Sequence, residues 1–202
     1  MKRAFDIIFS LVVLIIFFPF GLLISIAILS SLRGGVFYRQ ERIGKRGKPF
    51  MLFKFRSMKL NADKKGKLTV GMTDSRITKI GVFIRKYKLD EFPQFINVLI
   101  GDMSVVGPRP EVEEFVAYYT DEQKRILDVK PGITDYASIE YFNENALLAA
   151  SENPKQDYIK KIMPQKINLN QKYIKRPTLT HDLKIILRRP PLAAIANAIC
   201  VN

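Results

Sequence analysis

Uncharged, mostly apolar positions run without interruption from Ile7 to Leu29, enough for the roughly 20 residues a helix needs to cross a hydrocarbon layer. Pro19 falls in the middle, between Phe18 and Phe20-Gly21, and removes a backbone donor there. The pattern therefore predicts a helix, a break and a second helix. A secretory signal peptide fits poorly, because the apolar core is too long and Leu32-Arg33-Gly34-Gly35 offers no clear small-x-small cleavage site. Aromatic-rich runs at Val36 to Gln40 and Pro49 to Arg56 predict two strands joined through Gly44-Lys45-Arg46-Gly47. The polar stretch Lys59 to Asp74 predicts a surface loop. Ile77, Ile80, Phe83 and Ile84 then mark a short amphipathic helix, and Phe92, Phe95, Ile96 and Leu99 mark another. Gly101 to Pro110 breaks regular structure. Glu111 to Tyr119 reads as a helix, and the capping box Thr120-Asp121-Glu122-Gln123 opens one running to about Asp128. After the rigid loop Val129 to Thr134, a helix broken at Pro164 follows Pro154. Thr180 or Asp182 opens a basic amphipathic helix through Arg189, which Pro190 and Pro191 end before an apolar tail, Leu192 to Ile199.

The fold class that follows is α+β and mostly helical. One small domain carrying a β-hairpin and interfacial amphipathic helices, residues 34–202, stands behind an amino-terminal hydrophobic hairpin, residues 1–33. Composition adds a second theme: 48% hydrophobic residues accompany a formal net charge of +14 over 202 residues. Such a balance implies anionic partners, whether lipid headgroups, nucleotide phosphates or nucleic acid. No interleaved RNA-binding motif or recognition-helix pattern supports the last. Both flanks of the apolar segment are basic, with Lys2 and Arg3 before it and Arg33, Arg39, Arg42, Lys45, Arg46 and Lys48 after it. Cytoplasmic flanks attract such residues, so the anchor is expected to enter and leave on one face, with a single spanning helix as the alternative, since spanning helices tolerate proline. The single cysteine, Cys200, excludes an internal disulfide and a thiol zinc site. His181, the one histidine, is expected beside a helix start rather than as a base.

Candidate chemistry centres on Asp90-Glu91, which lie between Arg85, Lys86 and Lys88 and the apolar run that follows. Asp90 is a good N-cap residue and Pro93 suits a first turn. A helix start and nearby cations favour ionised carboxylates, ready to attack phosphorus or to hold a divalent metal; ordinary capping is the plainer alternative. Lys54 and Arg56 share one strand face by the period of two and can hold phosphate oxygens together, unless that face is simply solvated near anionic lipid. Pro108 and Pro110 stiffen the backbone around Arg109, whose fork suits bidentate phosphate binding, against the alternative of a turn pointing to water. Lys130 can reach an anionic ligand from its rigid loop, or remain solvated. Ser138, Glu140, Tyr141, Asn143 and Glu144 are expected to line a polar pocket.

In series, these pieces resemble the monotopic phosphoglycosyl transferases, bacterial membrane enzymes that start glycan assembly on a polyprenol carrier. The matching segments are the amino-terminal hydrophobic hairpin, Gln40-Glu-Arg-Ile-Gly44, Lys54-Phe-Arg-Ser-Met58, Leu89-Asp-Glu-Phe-Pro-Gln94, Asn97-Val-Leu-Ile-Gly-Asp-Met-Ser104, Val106-Gly-Pro-Arg-Pro110 and Pro131-Gly-Ile-Thr134. The compact length is similar to that of the minimal, single-domain members. The resemblance implies transfer of a phosphosugar from a UDP-sugar to polyprenol phosphate, usually undecaprenyl phosphate, with release of UMP. It makes Asp90 the nucleophile, Glu91 the partner that binds magnesium (Mg2+), and Arg109 the residue recognising the nucleotide phosphate or uridine. Lys54, Arg56, Arg85 and Lys130 are supporting cations. It also implies a bacterial inner membrane location, membrane lipids as partners, no nucleic acid, and an oligomeric state left open between monomer and dimer. This chain departs from the pattern at Phe18-Pro19, where many members have Ser before the proline. It also departs at Asn170, where many carry an aspartate, and in Ala137 to Glu144, which lacks an arginine found in some. The competing classes are a non-catalytic membrane-anchored scaffold and a basic nucleic-acid-binding protein.

Overall fold

The computed structural model describes residues 1–32, 34–62, 66, 71, 74–175 and 177–188. Arg33, residues 63–65, 67–70, 72 and 73 of the expected surface loop, and the end of the chain from Arg189 with its prolines and apolar tail lie outside the described residues. In chain order the elements are α1 (Lys2–Ser31), β1 (Phe37–Ile43), β2 (Pro49–Phe55), α2 (Lys79–Lys86), α3 (Gln94–Ile100), β3 (Ser104–Val106), α4 (Glu113–Val116), β4 (Gly132–Thr134), α5 (Tyr136–Glu140), α6 (Glu144–Ala149), α7 (Pro154–Asp157), α8 (Met163–Ile174) and α9 (Leu179–Arg188). The chain is mostly helical, as predicted. The expected hairpin is present, with β1 antiparallel to β2 and Tyr38 opposite Lys54. A second, unpredicted pair joins β3 and β4 in parallel, Ser104 against Gly132 and Val106 against Thr134.

One continuous helix, α1, stands where the pattern predicts a helix, a break and a second helix; Pro19 lies inside it. Support from the rest of the chain on both sides of the proline accounts for the difference. Near its start, the buried Asp6 carboxylate accepts from Ser104 Oγ (2.9 Å) and Val105 N (3.0 Å). Lys2 Nζ reaches Asp182 Oδ2 at 2.6 Å and Val106 O at 3.1 Å. In the middle, the Phe17 ring lies 4.9 Å from that of Phe92. At the far end Ile28 is fully buried with Phe55 and Ile84. A proline removes one helical hydrogen bond, and flanking tertiary contacts hold the remaining turns together. The opposite side of α1 exposes Ile8, Leu11, Ile15, Phe18, Leu23 and Ile26. By length and composition α1 is the one described helix apolar enough to cross a membrane.

Elsewhere the elements follow local chemistry. Thr78 caps α2 by accepting from Gly81 N at 3.0 Å. Gly81 is required, since a Cβ there would lie 1.9 Å from Ser57 O. The capping box forms reciprocally: Thr120 N donates to Gln123 Oε1 (3.0 Å) and Gln123 N to Thr120 Oγ1 (3.3 Å). It opens a 3-10 turn, Gln123–Asp128, rather than an α-helix, and the helix predicted over Glu111 to Tyr119 is only the short α4. Pro164 does not break its helix. The turns Tyr158–Ile162 widen to a π-helix just before it, which changes register so that the missing amide falls in the first turn of α8. Thr178 Oγ1 accepts from His181 N at 3.2 Å, placing that histidine in the first turn of α9 as expected. Two main apolar clusters result. Val112, Phe115, Tyr119, Ile126, Leu148 and Met163 form one. Leu52, Val98, Met103, Val106, Tyr173 and Ile185 form the other.

Candidate active site

Asp90 and Glu91 occupy a 3-10 turn, Leu89–Glu91, ahead of α3. The N-cap position of α3 belongs to Pro93, so Asp90 is not the cap the sequence predicts. Lys88, held at a positive φ of 57°, reverses the chain between α2 and this turn and makes the two acids project from a corner. Buried Asn97 fixes the corner to the hairpin: its Nδ2 donates to Met51 O (2.8 Å) and its Oδ1 accepts from Phe53 N (2.9 Å). Lys54, next on β2, then lies 3.3 Å from Glu91 Oε1.

Arg109 arrives from the other side. Backbones of Gly107 and Gly132 approach so closely that a Cβ on Gly132 would stand 2.1 Å from Gly107 N, a crossing only glycine allows. Past it, Arg109 N donates to Asp135 Oδ2 at 3.1 Å. Asp135 is itself fixed by capping Ser138 N (2.6 Å) and by Asn170 Nδ2 (2.7 Å). Asn170, where the family often places an acid, is thus part of the mount that aims Arg109. The Arg109 guanidinium pairs with both oxygens of Glu91.

The two carboxylates therefore differ. Glu91, 7% exposed, is gripped by two cations; Asp90, 5% exposed, forms no hydrogen bond or ion pair among the described residues. Burial pushes both upward in pKa. For Glu91 it is outweighed by Arg109 and Lys54, which hold the group well below the ordinary carboxylate range. For Asp90 burial wins over Lys54, and the carboxyl is raised. Burial likewise lowers Lys54 to about 8 in spite of Glu91. The pair is split into a clamped anion and an unclamped, more basic one.

Both acids line a cavity of about 590 Å³, together with Lys54, Arg56, Arg85 and Arg109. Arg56 also braces the hairpin, donating to Gly35 O and Phe37 O at 3.0 Å. Lys130 is the exception and corrects the prediction. Its backbone carbonyl, not its side chain, faces Gly107, and its ammonium lies beside Gly101 and Arg3, outside the cavity. Ser138, Tyr141, Asn143 and Glu144 line the cavity as expected, and Glu140 does not. Lys88, expected beside the acids, also lines it, and sequence reasoning missed Arg42, Glu111, Tyr158 and Lys166 in the same cavity. A signal existed for Lys166: it sits on the buried stripe Met163, Lys166, Ile167, Asn170 and Tyr173, where a helix ordinarily carries apolar residues. Among the described residues no group of three or more His, Cys, Asp or Glu could hold a metal. The adjacent acids still suit magnesium, which takes one or two carboxylates and fills its other positions with water and substrate phosphate oxygens.

A Bacillus subtilis (strain 168) protein, provisionally named undecaprenyl-phosphate N-acetylgalactosaminyl 1-phosphate transferase, is 48% identical over 121 residues, 60% of this chain and 68% of its own length. The UDP-glucose:undecaprenyl-phosphate glucose-1-phosphate transferase of Klebsiella pneumoniae is 39% identical over 92% of this chain. Its Escherichia coli (strain K12) namesake is 35% identical over the same share. This chain spans 38% of the length of each of these two. The model of the family described as bacterial sugar transferase matches residues 1–194, and the chain belongs to that family.

Proposed function

We propose that the protein transfers a phosphosugar from a UDP-sugar to a polyprenol phosphate, undecaprenyl phosphate by the chemistry its relatives' names state, through a covalent phosphosugar on Asp90. The observation that carries this reading is the split pair: a buried carboxylate with no partner, next to one clamped by Lys54 and Arg109, in a cavity with Arg56 and Arg85. An Asp90 oxygen attacks the sugar-bearing phosphorus, forming an O–P bond. The bond from phosphorus to the bridging oxygen breaks, and its electron pair leaves with UMP, which needs no proton as a phosphate dianion. An oxygen of polyprenol phosphate then attacks the same phosphorus, and the carboxylate is regenerated. Lys54, Arg85 and Arg109 offset charge on the transferring group. Magnesium, held by Glu91 and the diphosphate, would add further charge neutralisation when bound.

The second substrate is embedded in lipid, and α1 supplies the attachment. Its exposed apolar ridge suits a bilayer, while contacts at both ends and the middle keep it against one domain. Basic flanks on both sides favour the cytoplasmic face of the inner membrane. Neighbouring α2 and α3 expose Val82, Phe83 and Ile100, as interfacial helices do. Purified protein with polyprenol phosphate and a panel of UDP-sugars is expected to release UMP. Asp90→Asn is expected to reduce that release by on the order of 10^4 or more with folding intact. Retained turnover in the variant would remove Asp90 as nucleophile, and no release with any donor would favour a lipid-binding scaffold.

A further inference from the structure

The cavity is not basic throughout. Its wall also includes Arg42, Glu111, Tyr158, Lys166 and Glu144. The Tyr158 hydroxyl donates to Glu111. Lys166 Nζ lies 2.7 Å from Glu144 Oε2 and 3.5 Å from the Tyr158 hydroxyl. Tyr158 is 2% exposed and Lys166 9%. Polar groups brought this deep are costly unless fully matched. Lys166, with three donors, and Glu144, with a second oxygen, retain capacity on the cavity side.

The signs on this wall restrict what can meet it. Glu111 is paired with Arg42 at 3.7 Å and Glu144 with Lys166, so this wall carries no net charge, whereas Lys54, Arg56, Arg85 and Arg109 outnumber Asp90 and Glu91; the phosphates belong with the latter group and an uncharged part of the donor lies beyond. In an in-line displacement, nucleophile and leaving group stand on opposite sides of the reacting phosphorus. Asp90 adjoins Glu91, Glu91 pairs with Arg109, and Glu144 is the next acid to act on Arg109. The half that leaves is the nucleotide.

Resting on the reading that Asp90 attacks, we propose that Glu144 and Lys166 form the nucleoside subsite: Glu144 accepts from the imide N–H of uracil and Lys166 donates to the neighbouring carbonyl. An acceptor and a donor side by side match that edge. Cytosine offers an unprotonated ring nitrogen and an amino group there, so both partners would be mismatched. Sites built on paired polar groups reject such analogues strongly.

The test is calorimetric binding of UMP and CMP to the full-length protein in detergent. UMP lacks the sugar, so it isolates the nucleoside. Wild type and Asp90→Asn are expected to bind UMP at least about tenfold more tightly than CMP. Glu144→Ala and Lys166→Met are each expected to weaken UMP by about tenfold and to narrow the gap to CMP. The Glu144 side chain is 25% exposed in the first turn of α6, so its truncation opens no apolar cavity but leaves buried Lys166 without its carboxylate, and thermal melting checks both variants. Unchanged UMP affinity in both, with a raised KM for the UDP-sugar, would give this wall to the sugar and overturn the proposal. Failure of wild type to bind UMP at all would overturn the transferase reading itself.

Discussion

At the scale of single residues, the site works by making neighbours unlike. Asp90 and Glu91 share a turn and a cavity, yet only Glu91 faces Arg109 and Lys54. Position within a corner, not residue type, decides which acid is clamped. Sequence reading named both acids and four of the cations in their cavity, but could not distinguish the acids' roles, because the discriminating contact spans 18 residues to Arg109 and 37 to Lys54. The ionisation pattern has a consequence in pH. Burial raises Asp90, so its ionised form, the one that would attack in the proposed mechanism, accumulates as pH rises through a value above the ordinary carboxylate range. Lys54 loses its charge as pH rises through about 8. A bell-shaped kcat/KM is therefore expected, with an alkaline limb near pH 8. Lys54→Arg stays charged across that range and should flatten the alkaline limb while leaving the acid limb in place. An unchanged alkaline limb would assign it to another group.

At the scale of elements, the long apolar helix is part of the mount for the site. The first turns of α1 hold three consecutive residues of β3, through Asp6 to Ser104 and Val105 and through Lys2 to Val106. Arg109 follows three residues later. Asp6→Ala leaves the Ser104 hydroxyl and the Val105 amide without their acceptor, a loss of about 3 kcal/mol in stability. It should also raise KM for the donor. A double-mutant cycle with Arg109→Ala separates the two effects: if Asp6 acts through Arg109, its effect on KM shrinks once Arg109 is gone, whereas additive effects would make it merely structural. Elements set by short-range chemistry were the legible ones. The hairpin was announced by its aromatics and glycines, the Thr120 box by its spacing. The β3–β4 pair was hidden, because three-residue strands carry too few positions for a period and depend on the distant grip of α1. The π-turns before Pro164 were equally hidden: proline announces a conflict, and packing chooses the remedy.

At the scale of the molecule, the seating of α1 bears on how the proposed site would meet lipid. A straight helix of 30 residues would extend roughly 45 Å, yet both ends of α1 are bound to the same body. A helix leaving on the far side of a bilayer could not keep those contacts. Single cysteines at Ala4 and Glu41, in a Cys200→Ser background, should both be labelled by an impermeant reagent from the cytoplasmic side of inverted vesicles. Protection of one of them would indicate a spanning helix. An apolar stretch with basic flanks was plain in the sequence, whereas the seating of α1 depends on buried Asp6, which nothing local marks, and on buried Asp182, which read as a helix start. The central claim is tested most directly by trapping the intermediate. Protein incubated with a UDP-sugar labelled in the sugar, without polyprenol phosphate, is digested under mild acid and examined by mass spectrometry. A phosphosugar adduct on Asp90, formed with release of UMP and discharged on adding polyprenol phosphate, is the predicted result. An adduct on another residue, or label that persists in Asp90→Asn, would contradict it.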